Sequence, residues 1–236
     1  MISLPDKPAL FLDFDGTLVG FAHTPNGVDV PDRLVPLLRK LHRNHESALA
    51  FVTGRAIDNL DELIGTSEFD AVGVHGAEWR IGGAAVEVVE GAPFEVERDA
   101  MRAFAAQHDG VVLQEKSAGF TLHFRQAPEI EETARLAIFD AFAGREDFEI
   151  MSGAMMWEAR RSGVHKGVGI ERLLAQAPYA GRVPIFIGDD VTDEDGHRAV
   201  NAVGGVSIKV GNGETCADHR LGDVDSVYEF LERMAT

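Results

Sequence analysis

Short apolar runs that stop abruptly at small or charged residues are the main regularity along the chain. Ala9-Leu10-Phe11-Leu12 stops at Asp13-Phe14-Asp15-Gly16-Thr17, and Ala48-Leu49-Ala50-Phe51-Val52 stops at Thr53-Gly54-Arg55. Ala71-Val72-Gly73-Val74 leads to His75-Gly76-Ala77-Glu78, Val183-Pro184-Ile185-Phe186-Ile187 to Gly188-Asp189-Asp190, and Val206-Ser207-Ile208-Lys209-Val210 to Gly211-Asn212-Gly213. Runs without polar alternation predict strands buried on both faces, as in a parallel sheet. Between them the period changes. Residues 31–42 put Leu34, Leu37, Leu38 and Leu41 on one helical stripe, with Pro31 and Asp32 suited to its start. Helices are also predicted over 56–64, 167–175, 192–200 and 224–234. Alternating strand and helix predicts an α/β fold with a doubly wound parallel sheet, whose ligands belong at the carboxyl ends of the strands.

The middle of the chain follows another rule. From about residue 82 to 158 the pattern predicts a strand (86–89), a helix (94–107), two strands (111–114 and 120–125), a helix (129–142) and strands near 148–151 and 155–157. Thr121, His123 and Arg125 alternate with Phe120, Leu122 and Phe124, as in a sheet with one open face. A smaller α+β domain over 83–160 is therefore expected inside a core formed by 1–82 and 161–236, with Gly82-Gly83 and Ser162-Gly163 as hinges.

Composition narrows the function. The 236 residues are enough for a sizeable core. No stretch of about 18 apolar residues is present to span a membrane, and the residues from Met1 carry no basic leader pattern. The single cysteine, Cys216, has no partner for an internal disulfide and fits a reducing, cytoplasmic setting. A formal charge of −17 argues against nucleic acid or an anionic membrane as a partner. It also means that any phosphate handled here needs local cations, from side chains or a metal. The oligomeric state is not specified, and a monomer is compatible with the pattern.

The polar clusters supply the candidate chemistry. Asp13 and Asp15 follow a buried strand, and two close carboxylates call for a cation between them or a proton on one. Mg²⁺, a hard cation with oxygen ligands, meets that need, leaving one carboxylate to attack phosphorus and the other to shuttle a proton. A lone D-x-D would equally be an Asx-turn with two solvated aspartates; the whole run Asp13–Leu18 after an apolar strand favours catalysis. Thr53 and Gly54, at a strand-to-helix turn, offer a hydroxyl and an N–H as a phosphate cradle or an ordinary helix cap. Lys166 reads equally as a surface lysine or as the fixed cation of the acidic pair. Asp189, Asp190, Asp193 and Glu194 pack four acids into six residues, some of them suited to a helix start and the set as a whole to a metal.

In this order, Asp13-x-Asp15-Gly-Thr, Thr53, Lys166 and Gly188-Asp-Asp190 resemble the haloacid-dehalogenase superfamily. With Gly73-Val-His-Gly-Ala-Glu78, Leu122-His-Phe-Arg125, Glu158 and His165-Lys-Gly167, the likeness narrows to the trehalose-6-phosphate phosphatases and runs from about residue 11 to 227. The resemblance implies a Rossmann-like, doubly wound core with a mobile α/β cap and hydrolysis of trehalose 6-phosphate in trehalose biosynthesis. It implies Asp13 as nucleophile and Asp15 as acid and base. Mg²⁺ would sit on Asp13, the Asp15 carbonyl and Asp189, with Asp190 and Asp193 further out. Phe14, Thr53, Gly54 and Lys166 would hold phosphate, and Arg55, Glu78, Lys116, His123, Arg125 and Glu158 would serve the sugar. Two departures stand out: Gln114 where the family has an acid, and Arg160-Arg161 where it commonly has Lys-Pro. Glu115 cannot replace the missing acid, because adjacent strand residues face opposite ways. Phosphatases for sucrose phosphate or hexose phosphates, a phosphotransferase, and an inactive phosphosugar sensor are the alternatives.

Overall fold

The computed structural model describes residues 2–21, 27–153 and 155–236, so Met1, where the leader reading began, lies outside the described residues. Two compact units emerge, one from residues 1–87 with 165–236 and one from residues 88–164.

The larger unit is built on an eight-stranded sheet, ordered β12-β11-β10-β1-β2-β3-β4-β5. Its strands are β1 (Pro8–Leu12), β2 (Leu49–Val52), β3 (Asp70–Gly73), β4 (Glu78–Arg80), β5 (Glu87–Val88), β10 (Val183–Gly188), β11 (Val206–Val210) and β12 (His219–Leu221). All pairings from β12 through β3 are parallel, and β4 turns antiparallel to β3. Strand alternation splits the apolar runs between two layers. Leu10, Leu12, Leu49, Phe51, Ile185 and Ile187 pack with α1 (Leu34–Asn44), α2 (Ile57–Ile64) and α7 (Val224–Met234). Ala9, Phe11, Ala50, Val52 and Phe186 pack with α5 (Lys166–Leu174) and α6 (Glu194–Ala202). Layers on both faces are why these strands carry no polar alternation. Among the described residues, no helix is long and apolar enough to cross a membrane.

In the smaller unit, four antiparallel strands run in the order β6-β7-β9-β8: β6 (Val112–Lys116), β7 (Gly119–His123), β9 (Met156–Arg161) and β8 (Phe148–Gly153). Phe120, Leu122 and Ala159 form one face, in a core shared with Met101 of α3 (Glu95–Gln107) and with Ala134 and Ile138 of α4 (Glu131–Ala141). Thr121 and Glu158 belong to the opposite face.

Several boundaries differ from the sequence pattern, each for a local reason. The first helix starts at Leu34 rather than Pro31: the Leu34 N–H donates to the Pro31 carbonyl in a preceding turn, and Pro36 falls in the first helical turn, where no N–H is needed. The helix expected from Thr192 begins as a 3₁₀ turn, Val191–Asp193, closed by a reciprocal capping box between Asp190 and Asp193. The strand ending at Arg125 stops at His123, and Arg125 lies exposed in the following turn. The unit boundaries fall at 87/88 and 164/165 instead of 82/83 and 160/161. Gly82 and Gly83, both at positive φ, make a turn between β4 and β5 of the larger sheet, and β9 continues through Arg161 in the smaller one.

Candidate active site

Four strands bring their carboxyl ends to one level. Leu12 of β1 is in register with Phe51 of β2 and Ile187 of β10, and Gly188 of β10 with Lys209 of β11. The residues that follow, Asp13, Thr53 and Asp189, are thereby delivered to one edge of the sheet.

Asp13 is buried, and its N–H donates to the Ile187 carbonyl at 3.0 Å. The Lys166 ammonium, also buried, stands 2.6 Å from Asp13 Oδ1 and 2.6 Å from Asp193 Oδ1. Lys166 is therefore a fixed cation of the site and not a surface lysine. It opens α5 beside Gly167, where a β-carbon would come within 2.6 Å of the Asp195 carbonyl. That missing side chain lets α5 and α6 approach and sets Lys166 against Asp193. Asp193 in turn uses its other oxygen to accept the Asp189 and Asp190 N–H groups at 3.0 and 2.9 Å. It orients the loop that carries Asp189.

Asp189 receives a hydrogen bond from Thr17 Oγ1 at 3.3 Å. Gly16, at φ +76°, lies so close that a β-carbon there would come 2.2 Å from the Asp189 carboxylate, so only glycine fits both the turn and the space. Carboxylate oxygens of Asp13, Asp189 and Asp193 lie within 4.8 Å of one another. Asp15 and Asp190, read as metal residues, fall outside this cluster: Asp190 is exposed and spends its side chain on the capping box.

Asp15 departs furthest from the expectation of one cation shared with Asp13. The chain turns at Gly16, and strand alternation no longer sets where Asp15 points. Its carboxylate lies in a two-pronged pair with Arg55, Nε at 2.7 Å and Nη2 at 2.6 Å, and Arg55 Nη1 also reaches Asn59 at 2.8 Å. Arg55, read as a sugar contact, is thus engaged within the larger unit. So is Glu78, which is buried and accepts the Ile57 N–H at 2.8 Å, capping α2. Thr53 is buried, its hydroxyl oxygen accepts the Arg55 N–H at 3.2 Å, and a β-carbon on Gly54 would meet the His75 ring at 2.5 Å. Phe14 buries its ring 6.2 Å from that of Phe51 while its carbonyl accepts the Leu18 and Val19 N–H groups of the turn.

The electrostatics have a single origin. Asp13, Asp189 and Asp193 face Lys166 and Lys209, an excess of one negative charge in a poorly solvated place, and the exposed Asp190 adds to the field on Asp189. Burial, then the Asp193 charge, pushes Asp13 well above the ordinary carboxylate range despite the pull of Lys166. Burial alone would lower Lys166, but Asp13 and Asp193 outweigh it and hold the ammonium above the ordinary lysine range. Asp189 is pushed up to about 6, by burial first and then by Asp193 and Asp190.

In the smaller unit, Lys116 Nζ lies 2.6 Å from Glu158 Oε1, and His123 Nε2 lies 3.1 Å from Gln114 Oε1. Burial, then Lys116, lowers the His123 pKa. Strand register puts Gln114, Thr121 and Glu158 in one row, with His123 and Lys116 on the same face. Glu115 faces the other way and bonds Arg102 of α3 at 2.7 and 2.8 Å, so it does not stand in for an acid at 114. The two arginines also separate: Arg160 reaches Glu149 at 3.5 Å, whereas Arg161 donates to the Ala92 carbonyl and lies over the Phe148 ring.

The sequence pattern did not single out Lys209, Thr17, Asn59 or His75 as site residues. Lys209 left a signal, as the one charge inside an otherwise buried strand. Val74 and His75, both at positive φ, left none; their N–H groups bond the Arg55 and Thr53 carbonyls and so fasten the Thr53–Arg55 turn.

Residues 11–225 match the trehalose-phosphatase family, a span that contains every residue of the cluster. The chain is 36% identical over 236 residues to the trehalose-6-phosphate phosphatase of Escherichia coli K12, covering 99% of this chain and 88% of that one. It is 40% identical over 223 residues to a probable trehalose-phosphate phosphatase of Sinorhizobium fredii NGR234, covering 94% and 84%. A solved structure of a trehalose-6-phosphate phosphatase related protein superposes with a TM-score of 0.81 at 25% identity, covering 96% of each chain. The chain is accordingly a phosphatase with a haloacid-dehalogenase fold, and it belongs to the trehalose-phosphatase family.

Proposed function

We propose that the chain hydrolyses trehalose 6-phosphate to trehalose and phosphate, using Mg²⁺ and an aspartyl-phosphate on Asp13, as a cytoplasmic step of trehalose biosynthesis. The observation that carries this reading is the buried Asp13–Lys166–Asp193 cluster with Asp189 beside it. The donor set fits a hard divalent cation, being made only of carboxylate oxygens in which acid exceeds base. Asp13, Asp189 and the Asp15 carbonyl would hold Mg²⁺, with Asp190 and Asp193 supporting from outside. When bound, the cation polarises a phosphoryl oxygen and offsets charge.

The remaining work falls to side chains. A carboxylate oxygen of Asp13 attacks phosphorus and the bond to the sugar oxygen breaks, while Lys166, Thr53 and the N–H groups of Phe14 and Gly54 hold the phosphoryl oxygens. The departing sugar oxygen takes a proton from Asp15. Water then attacks phosphorus, gives its proton to Asp15, and releases phosphate with the Asp13 carboxylate restored. Arg55 occupies both Asp15 oxygens in the present arrangement, so Asp15 must leave that pair to carry a proton. Lys116, Glu158, Gln114, His123 and Arg125 are the groups for the sugar hydroxyls; a polar site rejects analogues lacking its partner hydroxyls.

Phosphate release from trehalose 6-phosphate, sucrose 6-phosphate and glucose 6-phosphate at equal concentration tests the substrate. Preference for trehalose 6-phosphate supports the reading, and equal turnover of the three removes the substrate assignment. Excess EDTA is expected to abolish turnover, Mg²⁺ to restore it and Ca²⁺ to inhibit, because calcium's looser shell misplaces the attack. Full activity in EDTA would remove the metal from the mechanism.

A further inference from the structure

Among the described residues two lysines are buried, Lys166 at 2% and Lys209 at 4% exposure. Lys166 has two carboxylates to compensate it. Lys209, at the carboxyl end of β11, directs its ammonium to a main-chain oxygen, the Asp189 carbonyl. A buried ammonium needs compensation, and a single carbonyl supplies only part of it. The rest comes from the field of the neighbouring acids, so the lysine is in place because of the site.

The contact completes a clamp on one residue. The Asp189 N–H is held by Asp193, its carboxylate by Thr17, and its carbonyl by Lys209. Because Gly188 and Lys209 are register partners on adjacent parallel strands, the lysine reaches the loop from a rigid element. The peptide joining Asp189 to Asp190 is then fixed at both ends, the Asp190 N–H being held by Asp193 as well. A carboxylate joined to a fixed peptide through a single methylene, and held there by Thr17, has little freedom left.

We propose that Lys209 is a positioning residue that sets the affinity of the Asp13–Asp189 edge for its divalent cation by locking the Asp189 peptide; this rests on the Mg²⁺ reading above. Lys209 touches neither phosphate nor sugar in this role, so its loss affects metal binding before chemistry. Partners that orient metal ligands typically change metal affinity about ten- to a hundredfold when removed.

The test is calorimetric titration of MgCl₂ alone into the protein without substrate, paired with the Mg²⁺ dependence of phosphate release. Lys209→Met is expected to weaken Mg²⁺ binding at least about tenfold. The Mg²⁺ concentration for half-maximal velocity should rise in proportion, and kcat at saturating Mg²⁺ should fall by a smaller factor. Lys209→Arg, which keeps donor and charge, should restore most of the affinity. If Lys209→Met does not fold, Lys209→Gln carries the test, since its donor stops one bond short of the carbonyl and the weakening is still expected. Unchanged affinity in a folded Met or Gln variant overturns the proposal, as does a fall in kcat alone. Tighter Mg²⁺ binding also overturns it, because the lysine would then act only as a competing charge. No Mg²⁺ binding by the unmutated protein would remove the metal reading as well, which distinguishes the two failures.

Discussion

Each unit contains a lysine–carboxylate pair at 2.6 Å, Lys166–Asp13 in the larger and Lys116–Glu158 in the smaller, and the two behave differently. Lys166 is shared between carboxylates 153 and 27 residues away in sequence, with a third close by. Acid exceeds base there, which is the condition for recruiting a cation and for a carboxylate poised to react. Lys116 and Glu158 are balanced one to one on two strands of the same sheet, 42 residues apart. Beside them stand the neutral hydrogen-bonding groups Gln114, His123 and Thr121, whose hydroxyl is buried without a partner, with the Arg125 charge acting on His123 and a second balanced pair, Arg160–Glu149, on the same face. On the function proposed above, the imbalance suits chemistry and the balanced pair beside polar groups suits recognition.

The sharpest way to break this contrast is Asp13→Asn. Turnover of every phosphate ester should fall by roughly four orders of magnitude or more, since the group acts as part of a unit. Circular dichroism should report a retained fold, because Lys166 keeps Asp193. Residual turnover within a hundredfold of the unmutated enzyme would place the chemistry elsewhere.

A further test rests on a histidine of the larger unit whose pKa is lowered. His197 of α6 is fully buried, has no hydrogen-bond partner for either ring nitrogen, and is pushed down to about 4 by burial, against Asp193 and Glu194. Its folded pKa lies below the unfolded value near 6.5, so its contribution is complete above about 6.5 and is lost as pH falls towards 4. At the acid end this amounts to about 3 kcal/mol. Urea midpoints at pH 7 and pH 4.5 should separate by less in His197→Leu than in the unmutated protein; an equal separation would mean that this ring does not titrate on unfolding.

Lys116→Ala and Glu158→Ala should each lower kcat/KM for trehalose 6-phosphate by about ten- to a hundredfold, roughly 1.5–3 kcal/mol for a charged hydrogen bond. An aryl phosphate, with no sugar to grip, should lose much less. Equal losses on both substrates would erase the division between chemistry and recognition. Gln114→Ala should be mildest, about 0.5–1.5 kcal/mol as befits a neutral bond, read as a rise in KM for the disaccharide phosphate only. A loss as large as that of Glu158→Ala would make Gln114 a principal sugar contact.

Much of this was legible in the chain because it depends on local order. A strand buried on both faces must be continuously apolar, so β1, β2, β10 and β11 could be read from their runs, and the polar residues ending those runs had to lie on one edge. Glu115 could be assigned away from Gln114 by strand period alone, and its pairing with Arg102 bears that out.

What the sequence by itself determined, then, is the α/β pattern, the inserted α+β segment, and a row of acids at strand ends in a strongly acidic chain. Only the tertiary structure decided the partners. Lys166 read equally as surface or site until α5 and α6 closed over Gly167 and buried it between Asp13 and Asp193. Arg55 and Glu78 looked free for sugar until Asp15 and the start of α2 claimed them. Lys209 stood unremarked within a buried strand until β10 laid the Asp189 carbonyl beside it. The physical reason is common to all: a charge in a poorly solvated place takes whichever opposite charge or dipole the fold brings within about 3 Å, and that choice depends on chain crossings tens to hundreds of residues apart, which no local period encodes.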